Sequence, residues 1–563
     1  MARAKVTAIA ILFLVSVGQA QISVLKPALG TRGMVSSSDS IATSVGVKIL
    51  KEGGNAVDAA VAVGFVLAVT YPQAGNLGGG GYYMIHLSNG MNYAIDARET
   101  APGAATRDMY LDGDGNVNNR KELVGGLSAG VPGNVDGLVM AETKFGRLTL
   151  KQVIEPAIEL AENGFRVNHK LETSLRSSMR LFKEFPSTMR YFAKDGEVYK
   201  EGALLIQKDL ARVLKKIADE GRDGFYKGEI PELIAREDEA TGGVITARDV
   251  EGYHAVLREP LSVNYHGYQV LSMPPSSSGG VCLAEILNVL SNFNLEKYGY
   301  GSSQSLHYEL EAMRRAFADR DKYLGDVDYV SVPMERLLSK AYADSLAARI
   351  DPFSATPSVE IYPDLIHPPK EGTHTTHYSV IDKEGNAVSV TTTLNSYFGS
   401  MVVVDGAGFF LNNEMDDFSA KPGTPNQFGA IGAKANSIAA GKRMLSSMTP
   451  TIVLKDGKAF LVLGSPGGTT IINAVLDVLL NVIDFHMPLA EAEMAGRVHM
   501  QWVPDKVFYE PSALVYDVKQ SLMSRGYTLQ EVPHIGEVQA ILVTKEGYEG
   551  VADPRGAGTA EGY

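Results

Sequence analysis

A single cysteine, Cys282, stands in 563 residues, so no disulfide can form within the chain. It opens an apolar helical pattern after Gly279-Gly280-Val281, which reads as a small buried core residue rather than a reactive thiol. No Cys/His cluster has the spacing of a zinc site, and no metal is expected. Positive charge is also scarce: 52 Lys and Arg face 65 Asp and Glu, a formal net charge of −13. That balance disfavours nucleic acid and anionic membrane surfaces. Beyond the N-terminus there is no run of about 18 apolar residues, so no membrane span is expected in the mature protein. A Gly-Lys-Ser/Thr phosphate loop is missing too. The glycine run Gly75-Asn76-Leu77-Gly78-Gly79-Gly80-Gly81 follows a helical pattern and precedes an extended one. This is the reverse of the order used for dinucleotides, and it reads as a close-packed turn.

What remains is an ordinary globular composition, 45% hydrophobic and 21% charged. The first twenty residues carry Arg3 and Lys5, then the mainly apolar Val6 to Val17, then Gly18-Gln19-Ala20. This is the pattern of an export signal cleaved after Ala20, with an uncleaved anchor as the other reading. Export without disulfides suits a periplasmic or secreted protein. Ile41 to Glu52 has helical periodicity and stops at Gly53-Gly54. Asn55 is placed to cap a helix over Ala56 to Thr70, apolar nearly all round and therefore deeply buried. Tyr82 to Ser88 and Met91 to Ala97 flank Asn89-Gly90, a hairpin signal that leaves Arg98 just past the second strand. From Asp136 to about Arg349 the pattern is mainly helical, broken by a hairpin at His266-Gly267 and by the loop Pro274 to Gly280. Residues 352 to 374 hold Pro352, Pro357, Pro363, Pro368 and Pro369 and read as an extended surface connection. The chain then turns β-rich, with strands expected at 375–382, 387–393, 401–404, 449–455 and 458–463. Helices are expected near 471–483 and 488–496. This back third reads as a strand-rich unit with helices on its faces.

The first of these strands carries the chemistry. Thr375-Thr376-His377-Tyr378-Ser379-Val380-Ile381-Asp382 turns through Lys383-Glu384-Gly385 into Asn386-Ala387-Val388-Ser389-Val390-Thr391-Thr392-Thr393. A three-residue loop with Gly last fixes the register, pairing Asp382 with Asn386 and therefore Thr375 with Thr393. Thr375 also stands where the proline-rich connection meets the strand. A cut before it would give it a free α-amine, with a pKa of about 8, able to take the proton from its own hydroxyl.

His374-Thr375-Thr376-His377-Tyr378-Ser379-Val380 resembles the cleavage region of the gamma-glutamyltransferases (gamma-glutamyltranspeptidases, glutathione hydrolases), which are N-terminal-nucleophile hydrolases. Asp96-Ala97-Arg98-Glu99-Thr100-Ala101-Pro102 resembles the family's arginine motif, and Asn412-Asn413-Glu414-Met415-Asp416-Asp417-Phe418 its acidic loop. Leu445-Ser446-Ser447-Met448-Thr449-Pro450 is similar to its serine pair, and Gly464-Ser465-Pro466-Gly467-Gly468 to its glycine loop. The landmarks occur in family order over nearly the whole mature chain.

The resemblance implies a four-layer αββα fold of the α/β (α+β) class, with two sheets face to face between helical layers. It implies autocleavage between His374 and Thr375 after removal of residues 1–20. A large fragment, 21–374, would remain bound to a small one, 375–563, as a heterodimer. It implies that Thr375 is the nucleophile, that Thr393 orients it, and that the Gly467 and Gly468 N–H groups hold the oxyanion. Arg98, Ser446 and Ser447 would take the α-carboxylate of a γ-glutamyl group, and Asn395, Glu414 and Asp417 its α-ammonium. Glutathione and related γ-glutamyl compounds are the implied donors, with amino acids, peptides or water as acceptors and no cofactor. The segment Lys421 to Gly429 occupies the place of the family's lid, with Phe428 where tyrosine is frequent. Two rivals share the chemistry, a cephalosporin acylase and a poly-γ-glutamate depolymerase. A third is an uncut exported binding protein for glutamyl peptides.

Overall fold

The computed structural model describes residues 25–362, 375–421 and 434–563. The expected signal peptide, His374, and the lid segment from Pro422 onward with Phe428 lie outside the described residues.

Local signals set the first helices. Asp39 accepts from the Ala42 N–H and caps the helix Ser40–Lys51. Asn55 and Asp58 form a reciprocal capping box on the helix Ala56–Thr70. All fifteen residues of that helix are buried, as its all-round apolar sequence requires. Its first N–H is also held by Asp382 Oδ2, at 2.9 Å, from the far end of the threonine hairpin.

Two seven-stranded antiparallel sheets make the centre of the molecule. One runs in the order 559–562, 33–37, 375–382, 387–393, 80–86, 92–97, 256–258. The other runs 28–30, 547–552, 539–544, 458–463, 451–455, 268–272, 261–265. Both sheets combine strands from the front and the back of the chain. The back third is therefore not a unit of its own, because its strands are shared between the two sheets. The sheets face each other, with helices 40–51, 56–70 and 134–145 outside the first and 279–290 and 489–494 outside the second. This is the four-layer αββα arrangement.

The hairpin register is the one expected: Thr375 pairs with Thr393 and Ile381 with Ala387, around a loop whose Gly385 has φ 89°. Alternation then divides the two strands by face. Tyr378, Val380, Val388 and Val390 pack under the outer helices. Thr375, His377, Ser379, Ser389, Thr391 and Thr393 share the face turned to the other sheet, which Ile381 and Ala387 continue into its core. Polar groups buried there must find partners. His377 bonds Thr391 Oγ1 at 2.8 Å and Ser379 Oγ at 3.1 Å. Ser379 Oγ donates to Gln539 O and Ser389 Oγ to Leu463 O, so the hydroxyls bridge the sheets. Burial pushes the His377 imidazole down to about 3, and it is neutral at any working pH.

Two expectations need correction. Residues 401–404 form no strand. Met401 is in the left-handed region at φ 69°, and only a single bridge joins Val403 to Phe410. The described part of the proline-rich connection is not a free surface strand. It makes a short helix, Ser358–Ile361, and Ser358 is docked on Trp502 through bonds of 2.6 and 2.8 Å. The hairpin at His266-Gly267 is present, joining 261–265 to 268–272. Cys282 is buried in the helix 279–290, where burial pushes its thiol up.

Candidate active site

Thr375 is the first residue of its strand and is 8% exposed. Its Oγ1 lies 3.5 Å from Thr393 Oγ1, which in turn accepts the Asn395 N–H at 2.7 Å. Asn395 follows the strand in the left-handed conformation, φ 74°. That turn sends its side chain to the acidic loop, where Nδ2 donates to Asn413 O at 2.9 Å and to Asp416 Oδ2 at 3.4 Å. Behind the strand, Gly79 packs on the Thr393 carbonyl so closely that a Cβ would lie 2.1 Å from it. The glycine run is the close-packed turn that its order in the sequence suggested.

Thr375 borders two cavities. The first is lined by Arg98, Arg320, Thr393, Asn395, Glu414, Asp417, the loop 445–448, Gly468, Thr469 and Ile471. It holds ≈ 350 Å³ of space, part of it open to solvent. The second lies beside Tyr71, Tyr397, Pro466, Gly467, His534, Gly536 and Glu537.

Arg98 is fully buried at the end of the strand 92–97. Its backbone is held at both ends, the N–H by Asp96 Oδ1 and the carbonyl by Tyr253 OH. Its Nη1 lies 2.7 Å from Glu414 Oε2 and 3.4 Å from Glu99 Oε2, and its Nη2 lies 2.5 Å from Asp417 Oδ2. Nε and Nη2 also donate to the Met444 and Leu445 carbonyls. Three carboxylates, Glu99 and Glu414 buried and Asp417 partly so, thus surround one guanidinium. Burial pushes all three acids up and Arg98 pulls them down; the balance leaves each raised, Glu99 to about 7. Three negative charges around one positive charge do not all persist out of water, so the cluster holds a proton near neutral pH.

Ser446 and Ser447 lie on the loop between Arg443 and the strand 451–455. Ser446 Oγ accepts the Met448 N–H at 3.1 Å, and Ser447 Oγ accepts Arg320 Nη2 at 3.2 Å. Gly467 and Gly468 precede the helix Thr470–Ile483 at φ 138° and 58°, and neither of their N–H groups has an acceptor among the described residues. They stand at a helix N-terminus, where unpaired donors favour negative charge.

The other nine residues expected at the site therefore line the two cavities that Thr375 borders. Sequence reasoning missed Glu99, the third acid on Arg98, and Arg320, a second guanidinium in the same cavity. Glu99 was legible as the neighbour of Arg98. Arg320 had no local signal, because Asp319-Arg320-Asp321 reads as a solvated charge run.

A buried threonine hydroxyl at the head of a sandwich strand, bordering cavities lined by glycines whose N–H groups have no acceptor among the described residues, is the arrangement of an acyl-transfer site. Residues 42–563 match the family model described as Gamma-glutamyltranspeptidase, and the chain belongs to that family of enzymes. It is 49% identical over 534 residues to the glutathione hydrolase proenzyme of Escherichia coli (strain K12), covering 94% of this chain and 92% of that one. It is 46% identical over 549 residues to the glutathione hydrolase proenzyme of Pseudomonas sp. (strain A14), covering 95% of each. Among solved structures, the cephalosporin acylase from Bacillus halodurans superposes with a TM-score of 0.83 at 26% identity, covering 98% of this chain and 99% of that one.

Proposed function

We propose that this chain is an exported gamma-glutamyltransferase with glutathione hydrolase activity, matured by cleavage between His374 and Thr375. The relatives at 49% and 46% identity, both named glutathione hydrolase proenzymes, support this reading. The observation that carries it is the position of Thr375. It lies on the rim of a cavity that holds a buried guanidinium, carboxylates and two serine hydroxyls at one end and unpaired glycine N–H groups beside the threonine.

In the mature enzyme the Thr375 α-amine takes the proton of Oγ1 as that oxygen attacks the γ-carbonyl, and Thr393 orients the pair. The carbonyl oxygen becomes an oxyanion held by the Gly467 and Gly468 N–H groups. Collapse breaks the γ-amide bond, and the departing nitrogen takes the proton from the amine, leaving a γ-glutamyl ester on Thr375. Water or an acceptor amine then attacks that ester with the same amine as base. Water yields glutamate, and an amino acid or peptide yields a new γ-glutamyl compound.

The donor's head group is a zwitterion, which matches the two signs of charge in the cavity. Arg98 is paired with Glu414, Glu99 and Asp417. On binding, the α-ammonium replaces Arg98 as a partner of Glu414 and Asp417, with Asn395 Oδ1 beside them. The α-carboxylate joins Arg98 and the hydroxyls of Ser446 and Ser447. A cephalosporin acylase shares the fold, but this head-group site favours an acyl group with a free α-amino acid end. Before cleavage the export signal 1–20 is removed. Among the described residues no helix is long and apolar enough to cross a membrane. The fragments 21–374 and 375–563 stay together as a heterodimer.

The test is the intact mass of purified wild type and Thr375→Ala, with N-terminal sequencing and a γ-glutamyl anilide assay. Two wild-type fragments, the smaller beginning at Thr375, and one uncut, inactive mutant chain are expected. A wild-type chain that stays whole and inactive refutes the maturation mechanism and favours the peptide-binding reading.

A further inference from the structure

We infer that Arg320 is a positioning residue for the donor's α-carboxylate, fixing the serine pair so that both hydroxyl protons are presented to that anion. The inference rests on the proposed γ-glutamyl function and assigns a role to the loop Pro274 to Gly280.

Arg320 lies near the end of the helix Ser303–Tyr323 and is 4% exposed. Each of its three guanidinium nitrogens has its own partner. Nη2 donates to Ser447 Oγ at 3.2 Å, Nε to Ser278 Oγ at 3.0 Å, and Nη1 to Asp321 Oδ1 at 2.8 Å. Ser278 passes the constraint on: its Oγ donates to Ser446 O at 2.7 Å, and its N–H donates to the same carbonyl at 2.7 Å. One guanidinium therefore grips the serine pair twice, directly at the hydroxyl of Ser447 and through Ser278 at the backbone of Ser446.

Hydrogen-bond polarity then decides what the serines can do. A hydroxyl has one proton to give and can also accept. Arginine only donates, so Ser447 Oγ must accept from Arg320 and its own proton points elsewhere. Ser446 Oγ accepts from the Met448 N–H, and its proton is likewise uncommitted. Neither proton has an acceptor among the described residues, and both serines line the cavity beside Thr375. Two uncommitted O–H donors suit an acceptor-only group, a carboxylate, whose oxygens can take both protons. Arg320 also brings a cation to the serine side of a cavity where the charge of Arg98 is already matched by Glu99, Glu414 and Asp417. Its own partner Asp321 is pushed up to about 7 by burial and leaves that charge incompletely cancelled near neutral pH.

Two donors of the same anilide separate positioning from general damage: γ-glutamyl-p-nitroanilide and 4-aminobutyryl-p-nitroanilide, which keeps the amine but lacks the α-carboxylate. In the processed full-length enzyme, Arg320→Lys is expected to raise KM for the γ-glutamyl donor about 10-fold with little change in kcat, the loss of one charged hydrogen bond. It should leave kcat/KM for the 4-aminobutyryl donor unchanged. In a Ser447→Ala background the same substitution should add little, because the hydroxyl it holds is gone. Ser278→Ala keeps the buried charge and removes one anchor. It tests the same idea if the lysine variant does not fold, with an expected KM increase of about threefold on the γ-glutamyl donor alone. Equal losses on both donors, or an undiminished Arg320→Lys effect in the Ser447→Ala background, would overturn the inference. Wild-type enzyme that turns over neither donor refutes the functional reading itself.

Discussion

Replacing Glu99 by Gln should make the protein more stable at alkaline pH than at acid pH, relative to wild type. The carboxyl of Glu99 is fully buried, lies 3.4 Å from Arg98 Nη1, and has its other oxygen without a hydrogen-bond partner among the described residues. Desolvation is the main cause of its rise from 4.5 to about 7. The folded protein therefore keeps a proton that the unfolded chain releases at about 4.5. Between these values the folded state binds more protons, so raising the pH through this window works against folding. The shift multiplied by 1.36 kcal/mol per pH unit gives about 3 kcal/mol, absent below pH 4.5 and complete above pH 7. Glutamine carries no such dependence. Its amide at the unpartnered position adds a desolvation cost of about 1–3 kcal/mol, but that offset is the same at every pH and cancels from the comparison. With an unfolding entropy of about 2.1 cal/mol/K per residue, the window corresponds to roughly 3 °C in Tm for a chain of this length. The assay is thermal unfolding of both proteins at pH 5 and pH 8 at one scan rate. Difference infrared titration adds a direct check, showing a carboxyl that deprotonates near 7 in wild type and not in Glu99→Gln. A Tm difference between the two proteins that is identical at both pH values would refute the account of a shared proton around Arg98.

Two further substitutions probe the site and its foundation. Gly467→Ala places a Cβ 2.6 Å from Thr470 Oγ1 on a residue at φ 138°, so the loop must move. Loss of one oxyanion donor should lower kcat about 10²- to 10³-fold with a smaller change in KM, as read from steady-state rates on a γ-glutamyl anilide. Gly464→Ala would put a methyl 2.2 Å from the His377 ring between the two sheets. Overpacking there should destabilise the protein by about 1–3 kcal/mol, measurable as a lowered urea midpoint.

Local chemistry made the helices and the hairpin legible. Asn55 caps its helix because the cap needs only its own next three residues. The pairing of Thr375 with Thr393 follows from a three-residue loop ending at Gly385. What flanks that hairpin was not legible, because its neighbours, 33–37 and 80–86, come from some 300 residues earlier in the chain. Nothing within one strand names so distant a partner. Residues 401–404 have the composition of a strand, but the left-handed turns at Phe398 and Met401 leave only one bridge. The docking of Ser358 on Trp502 depends on an indole 144 residues away. Arg320 stayed hidden for a related reason: tertiary packing, not local pattern, buries a charge run inside a 21-residue helix.

The interleaving of strands bears on how such a protein can be made. The strand 33–37 sits between 559–562 and 375–382, while 387–393 is followed in the same sheet by 80–86. Residues before and after Thr375 both supply strands to each sheet, although 547–552, 539–544, 458–463 and 451–455 stay contiguous in one and 80–86, 92–97 and 256–258 in the other. If the proposed cut before Thr375 follows folding, the pairs of 33–37 with 375–382 and of 80–86 with 387–393 hold the two pieces together. One continuous chain forms those pairs as it folds, whereas separately made pieces would have to find them on meeting.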